Sequence, residues 1–310
     1  MNLARTRATR ASVICVCLLF VLSACAKTPT TAKGEPRAVP SSVSSSAPDS
    51  LLPIPGVATT PTGTPTSTTT PTPVVAKAPT DPLAGLSAAR RSAYRKCLKK
   101  SIGPGSGTTC AKLLQKSLKS AGFYPWRVAG ALNVAGVNAL LNYQRSRGIP
   151  ATGRANKTTW IALATKAAQV PVNLPKKCKG KGVVLCVDQA HRKLFYVKNG
   201  SVTKTIKVRL GGYNSHPKTN VWRVFPTANG TWKVYDKQVS PQSENYGSGA
   251  MPYSVMFYPD MYVHYSPGFH RDGYRKSSHG CVNVGSLRDA IWIFKHTPIG
   301  ARVHIFSAKK

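Results

Sequence analysis

Lys193–Leu210 reads KLFYVKNGSVTKTIKVRL. Two runs rich in β-branched and aromatic residues flank Asn199-Gly200, a dipeptide that suits a two-residue turn between antiparallel strands. The stretch predicts a β-hairpin and sets a strand-rich character for its surroundings. Upstream, VVLCVD (Val183–Asp188) has the same composition, and near the end ARVHIF (Ala301–Phe306) supplies a last strand. Ser286 followed three residues later by Asp289 reads as a capping box that opens a helix over Leu287–His296. Residues 181–310 are therefore expected to form a mostly-β domain, a β-sandwich with a short helix.

Working outward, residues 83–170 change period. Ala111, Leu114, Leu118 and Ala121 recur at three- and four-residue spacing, as do Val134, Val137 and Leu141, and again Trp160, Leu163 and Ala167. Gly122, Gly148 and Gly153 punctuate these runs. This span predicts a small helical domain. Residues 26–82 are dominated by Ser, Thr, Pro and Ala, with no apolar period, and read as a disordered tether. Residues 1–25 carry Arg5, Arg7 and Arg10 before the apolar run Ala11–Leu22, which is short for a membrane span and fits a secretory signal. Leu22-Ser23-Ala24-Cys25 resembles the lipobox of bacterial lipoproteins, which implies acylation of Cys25 and a membrane lipid anchor; an ordinary signal peptide is the alternative.

The chain carries 44 Lys and Arg against 9 Asp and Glu, a net charge of +35. Loss of the signal removes three arginines and no acids, leaving +32. Such a chain is drawn to anionic surfaces. Export makes nucleic acid an unsuitable partner and favours anionic wall polymers or phospholipid head groups; solubility alone is the blander use of the charge. So few acids also speak against a glycosidase built on paired carboxylates.

Of eight cysteines, Cys15 and Cys17 leave with the signal and Cys25 is the lipidation site. Five remain, an odd count that leaves one free thiol in an exported protein. Pairing Cys97 with Cys110 and Cys178 with Cys186 is the simplest of three connectivities for those four, and each bridge would contribute about 2–3 kcal/mol. Cys281 is left over, within SSHGCVNV (Ser277–Val284). A free thiol has a pKa of about 8.5, so an amide-attacking cysteine needs a base or a neighbouring cation. His264, in the strand-like run MYVHY, and His279 are the candidates. Gly280 permits a sharp turn that would aim backbone N–H groups at an oxyanion. His191, His216, His296 and His304 read as surface or packing residues. A metal site of His264, His279 and Cys281 is disfavoured because no second cysteine or carboxylate clusters with them.

His264 followed by Ser278-His279-Gly280-Cys281-Val282-Asn283 resembles the signature of the L,D-transpeptidase catalytic domain. The similarity extends to RKLFYV (Arg192–Val197), FPTANGTWKV (Phe225–Val234), AMPYSVMF (Ala250–Phe257) and PIGARVHI (Pro298–Ile305). The helical span resembles the three-helix peptidoglycan-binding domain through Leu114-Gln115, Leu118, Gly122-Phe123, Tyr143-Gln144, Gly148, Gly153, Thr159-Trp160 and Leu163. The resemblance implies a multidomain wall enzyme without a cofactor. Cys281 would be the acylated nucleophile and His264 its base, oriented by the carbonyl of Tyr265. His279 would accompany the site, while Ser278, Gly280 and Asn283 shape the turn and oxyanion region, and Tyr253 lines the donor cleft. The implied partners are the stem peptides and glycan of peptidoglycan, and the implied reaction joins third-position diaminopimelate residues. L,D-carboxypeptidase action and a non-catalytic wall-binding lipoprotein are the rival readings; sortase-like transpeptidation ranks below them.

Overall fold

The computed structural model describes residues 81–307. The expected signal peptide, the Cys25 lipidation site and nearly all of the tether lie outside them. In the helical span, α1 (Ala88–Leu98) precedes α2 (Thr109–Ser120), α3 (Val134–Ser146) and α4 (Lys157–Ala164). The last three begin at side-chain caps. Thr108 accepts from the Ala111 N–H, Asn133 from Gly136 and Asn156 from Thr159, at 3.0–3.2 Å, each satisfying one of the donors a helix start leaves open. These are the three helices expected from periodicity. The fourth, α1, escapes that reading because only Tyr94 and Cys97 of its sequence AARRSAYRKCL are buried. A Cys97–Cys110 disulfide ties it to the first turn of α2, and the Tyr94 ring meets Trp160 edge-on at 6.2 Å. Leu114, Leu118, Leu140 and Trp160 are fully buried at the centre, each large apolar side chain contributing about 1.5–3 kcal/mol by leaving water. Ala167 falls beyond the end of α4.

The strand domain comprises β1 (Val183–Asp188), β2 (Lys193–Lys198), β3 (Ser201–Arg209), β4 (Tyr213–Ser215), β5 (Trp222–Val224), β6 (Gly230–Lys233), β7 (Asp236–Gln238), β8 (Ser254–Tyr258), β9 (Met261–Tyr265), β10 (Val282–Val284) and β11 (Arg302–Phe306), with α5 (Pro267–Asp272) and α6 (Leu287–His296). Nine strands form one sheet in the order β6-β11-β1-β2-β3-β10-β9-β8-β7, and β4-β5 is a separate ribbon. The sandwich is therefore a single curled sheet whose two halves share β3. Leu185, Val208, Val255, Val263, Val282 and Val303 from both halves fill one core together with Ala290 and Ile293 of α6. The curl brings the Trp232 ring of β6 to 5.7 Å from Phe257 of β8. Cys178 and Cys186 are bonded at the entrance to this domain.

The hairpin at Asn199-Gly200 and the helix over Leu287–His296 form where the sequence predicts them. Ser286 caps α6 by accepting from the Asp289 N–H, but the Asp289 carboxylate pairs with Lys204 at 2.8 Å and so completes a salt bridge where a capping box was expected. The stretch after Tyr265 contains α5. Ser266 starts it by accepting from Phe269 N–H, with Pro267 in the first turn, where its missing N–H is no loss.

Candidate active site

β9 and β10 run parallel, with Val263 opposite Val282 and His264 opposite Asn283. Cys281 ends the loop that enters β10, so the strand pair sets the thiol close to the imidazole strand. Gly280 holds φ +125°, and a Cβ there would sit 3.0 Å from Met261 Cε and 3.3 Å from the Pro226 carbonyl oxygen; a larger residue would force the turn away from β9. Ser278 ties the same turn, donating to the Cys281 carbonyl at 2.6 Å and accepting from Gly280 N–H at 3.2 Å. Thr227 donates to the Gly280 carbonyl at 2.8 Å. Because the Gly280 N–H is already bonded, it is not a free donor for an oxyanion; Gly280 serves the turn itself.

Cys281 is buried. Its Sγ receives the Tyr262 N–H at 3.5 Å and faces the Asp260 carbonyl at 3.6 Å. Burial pushes the thiol up to about 11, with the Asp260 carboxylate adding to the shift and the Tyr262 N–H opposing it. His264 Nδ1 lies 2.6 Å from the Tyr265 carbonyl oxygen and Nε2 lies 2.8 Å from Asn283 Nδ2. Burial pulls this imidazole down to about 4 against the opposing effect of the Tyr265 carbonyl, and the Arg209 cation lowers it further. Both shifts disfavour a thiolate–imidazolium pair at rest. A dry environment penalises both charges, and the pair rests as thiol and neutral imidazole. No hydrogen bond joins Sγ to either histidine among the described residues.

His279 Nε2 lies 2.6 Å from the Ser215 carbonyl of β4, and its ring packs between Phe225 and Tyr246 at 4.8 and 5.3 Å. Burial lowers its pKa as well. Cys281, His264, His279, Ser278 and Asn283 all line one cleft of about 660 Å³. Tyr253 does not. Its backbone takes φ +57° and its ring packs against Phe294 of α6 at 5.8 Å. The tyrosines at the cleft are Tyr262 of β9 and Tyr246, the latter from a Gly/Ser-rich segment with no periodicity to single it out. Tyr265 contributes its carbonyl alone. His216, read as a surface residue, lines the cleft and caps its own turn by accepting from the Lys218 and Thr219 N–H groups. His191, by contrast, pairs with buried Asp188, His296 meets the Trp292 carbonyl and His304 meets Thr231. Among the described residues no group of three or more His, Cys, Asp or Glu side chains comes together to hold a metal.

Three residues that sequence reasoning missed support the site. Arg209, at the end of β3, is buried and donates to Asn283 Oδ1 from Nε and Nη2 at 3.2 and 3.0 Å. Asn138 of α3 donates to the Tyr213 carbonyl at 3.2 Å and accepts from the Tyr213 N–H at 2.9 Å. Beside it Arg145 donates to the Gly211 carbonyl at 2.7 Å. The helical domain is therefore bonded to the segment that carries β4. Gly212 makes this approach possible, because a Cβ there would lie 2.6 Å from Asn138 Oδ1 and 2.8 Å from Ser277 Cβ.

Residues 182–305 match the family profile of the L,D-transpeptidase catalytic domain, and residues 111–163 match the profile described as "Putative peptidoglycan binding domain". No curated protein matches the chain. Similar solved structures include an L,D-transpeptidase from Xylanimonas cellulosilytica, 23% identical with a TM-score of 0.37, covering 67% of this chain and 98% of that one. Another, from Stackebrandtia nassauensis, is 24% identical with a TM-score of 0.36, covering 67% and 96%. L,D-transpeptidase 1 of Mycobacterium tuberculosis is 21% identical with a TM-score of 0.31, covering 41% and 62%. The strand domain is thus similar to L,D-transpeptidase catalytic domains, and the helical stretch before it is similar to peptidoglycan-binding domains.

Proposed function

We propose that this enzyme cross-links peptidoglycan stems between third-position diaminopimelate residues, with Cys281 as nucleophile and His264 as its base. The observation that carries the reading is a free thiol and a carbonyl-oriented imidazole lining one cleft. Sγ attacks the carbonyl that joins diaminopimelate to the terminal D-Ala of a tetrapeptide donor. The thiol proton passes to His264 and then to the departing D-Ala amine, leaving a thioester. The side-chain amine of a second stem attacks that thioester and restores the thiol. Arg223, exposed at the cleft wall, supplies a cation for the carboxylates of the donor.

Incubation with a purified disaccharide tetrapeptide tests this: a dimer lacking one D-Ala is the expected product. L,D-carboxypeptidase action, the second reading, would give only the tripeptide and free D-Ala. A lipid anchor at Cys25 belongs to the same proposal, supported by the Leu22-Ser23-Ala24-Cys25 sequence. Metabolic labelling with a fatty acid, lost in Cys25→Ala, checks it.

A further inference from the structure

The hydrogen bonds around His264 fix atoms that are otherwise ambiguous. An amide oxygen and nitrogen look alike, and so do the two tautomers of a neutral imidazole. Arg209 removes the ambiguity because a guanidinium has donors only. The amide atom that faces its Nε and Nη2 at 3.2 and 3.0 Å must be Asn283 Oδ1. Asn283 Nδ2 is then turned to His264 Nε2 at 2.8 Å, where it donates. At the other edge of the ring the Tyr265 carbonyl only accepts, so Nδ1 carries the proton. Arg209 is itself held from several sides. Nη2 donates to Ser266 Oγ at 3.1 Å and Nη1 to the Gly268 carbonyl at 3.2 Å, while the guanidinium lies over the Phe269 ring at 5.3 Å. Residues at the start of α5 thus anchor a side chain on β3 that acts on β9 through β10.

We propose that Arg209 is a positioning residue for His264: by fixing the Asn283 amide it holds the imidazole in the tautomer with the proton on Nδ1 and the lone pair on Nε2. An imidazolium would set an Nε2–H against the Asn283 N–H group, which Arg209 does not allow to turn. The resting ring therefore stays neutral into acidic solution, and Nε2 can take the Sγ proton only when the Asn283 N–H gives up its lone pair.

Besides Arg209 and His264, the ionisable groups lining the cleft are Cys281, His279, His216, Tyr246, Tyr262, Asp260, Glu244 and Arg223. Burial also lowers His279 and raises Cys281. Asp272 and Arg271 on α5 act on Arg209 with opposite signs. Burial brings Arg209 down to about 10, so it remains a cation at neutral pH.

The inference rests on His264 being the base, and its test separates the two claims. In the full chain labelled with 15N-histidine, NMR at pH 7 is expected to show His264 protonated at Nδ1 only, with a protonation midpoint well below that of an ordinary histidine. In Arg209→Met the amide is free to turn its oxygen to an Nε2–H. The midpoint is expected to rise by about one pH unit or more, and the acidic limb of Cys281 acylation by a carbapenem should rise with it. Arg209→Lys, which keeps a cation without the fork, should shift it less. Should Arg209→Met not fold, Asn283→Ala removes the same N–H donor while Arg209 keeps Ser266 and Gly268, and an upward shift is expected there too. An Nε2-protonated ring in the wild type, or an unmoved NMR midpoint in the folded variants, overturns the positioning role. A moved midpoint with an unmoved acylation limb upholds it and overturns His264 as the base.

Discussion

At neutral pH Cys281 rests as a thiol and His264 as a neutral imidazole, and each state has a consequence for stability. The imidazole falls from 6.5 to about 4 on burial, so between those values the unfolded chain binds the proton that the folded chain refuses. Stability contributed by this group is complete above pH 6.5 and is lost as pH falls toward 4, by about 3 kcal/mol. The thiol moves from 9.0 to about 11; its contribution is complete below pH 9 and is lost as pH rises toward 11. Urea denaturation across pH is expected to show a plateau between about 6.5 and 9, and His264→Gln should flatten the acid side. An acid slope identical in His264→Gln and wild type would contradict the burial of a neutral imidazole. At this scale the sequence exposes Cys281, His264 and His279 because chemistry constrains residue type and spacing. Arg209 is different. Arg209 lies two residues after exposed Lys207, on the same face of β3, so nothing local shows that its charge is buried against an amide 74 residues away.

Among the elements, those fixed by local rules were legible and those fixed by distant contacts were not. The Asn199-Gly200 hairpin needs only its two turn residues, and α6 needs only Ser286 and an apolar face. α1 and α5 lack such a face: α1 buries two residues and α5 none. They are held by a disulfide and by Ser266, Gly268 and Phe269 around Arg209. The cap of α6 makes a checkable case. Ser286→Ala removes the acceptor of the Asp289 N–H while the Lys204 salt bridge remains. A loss of about 1 kcal/mol is expected in equilibrium unfolding, with catalysis intact because α6 lies behind the core and away from the cleft. A loss near zero would mean that Lys204 and packing of Ile293 hold the helix without its cap.

For the molecule as a whole, the two domains meet where the catalytic loop is shaped. Asn138 and Arg145 read as polar positions of an amphipathic helix, and no sequence pattern shows that they clamp the backbone at Gly211 and Tyr213. That segment leads into β4, whose Ser215 carbonyl orients His279. Arg145→Met removes a buried charged hydrogen bond and leaves the Gly211 carbonyl short of a donor. A loss of about 1.5–3 kcal/mol is expected, together with slower acylation of Cys281 at temperatures where the variant is fully folded. Reduced stability with an unchanged acylation rate would show that the helical domain supports the fold without tuning the site.

The central claim is that Cys281 carries the acyl group of the donor stem. Rapid quenching of the enzyme with a disaccharide tetrapeptide, followed by peptide mapping, measures this directly. The account predicts a mass increase equal to the donor less one D-Ala on the peptide containing Cys281, matched by free D-Ala, absent from Cys281→Ala and slowed by about 10²–10⁴-fold in His264→Ala. An adduct that persists in Cys281→Ala, or that maps to another residue, would contradict it.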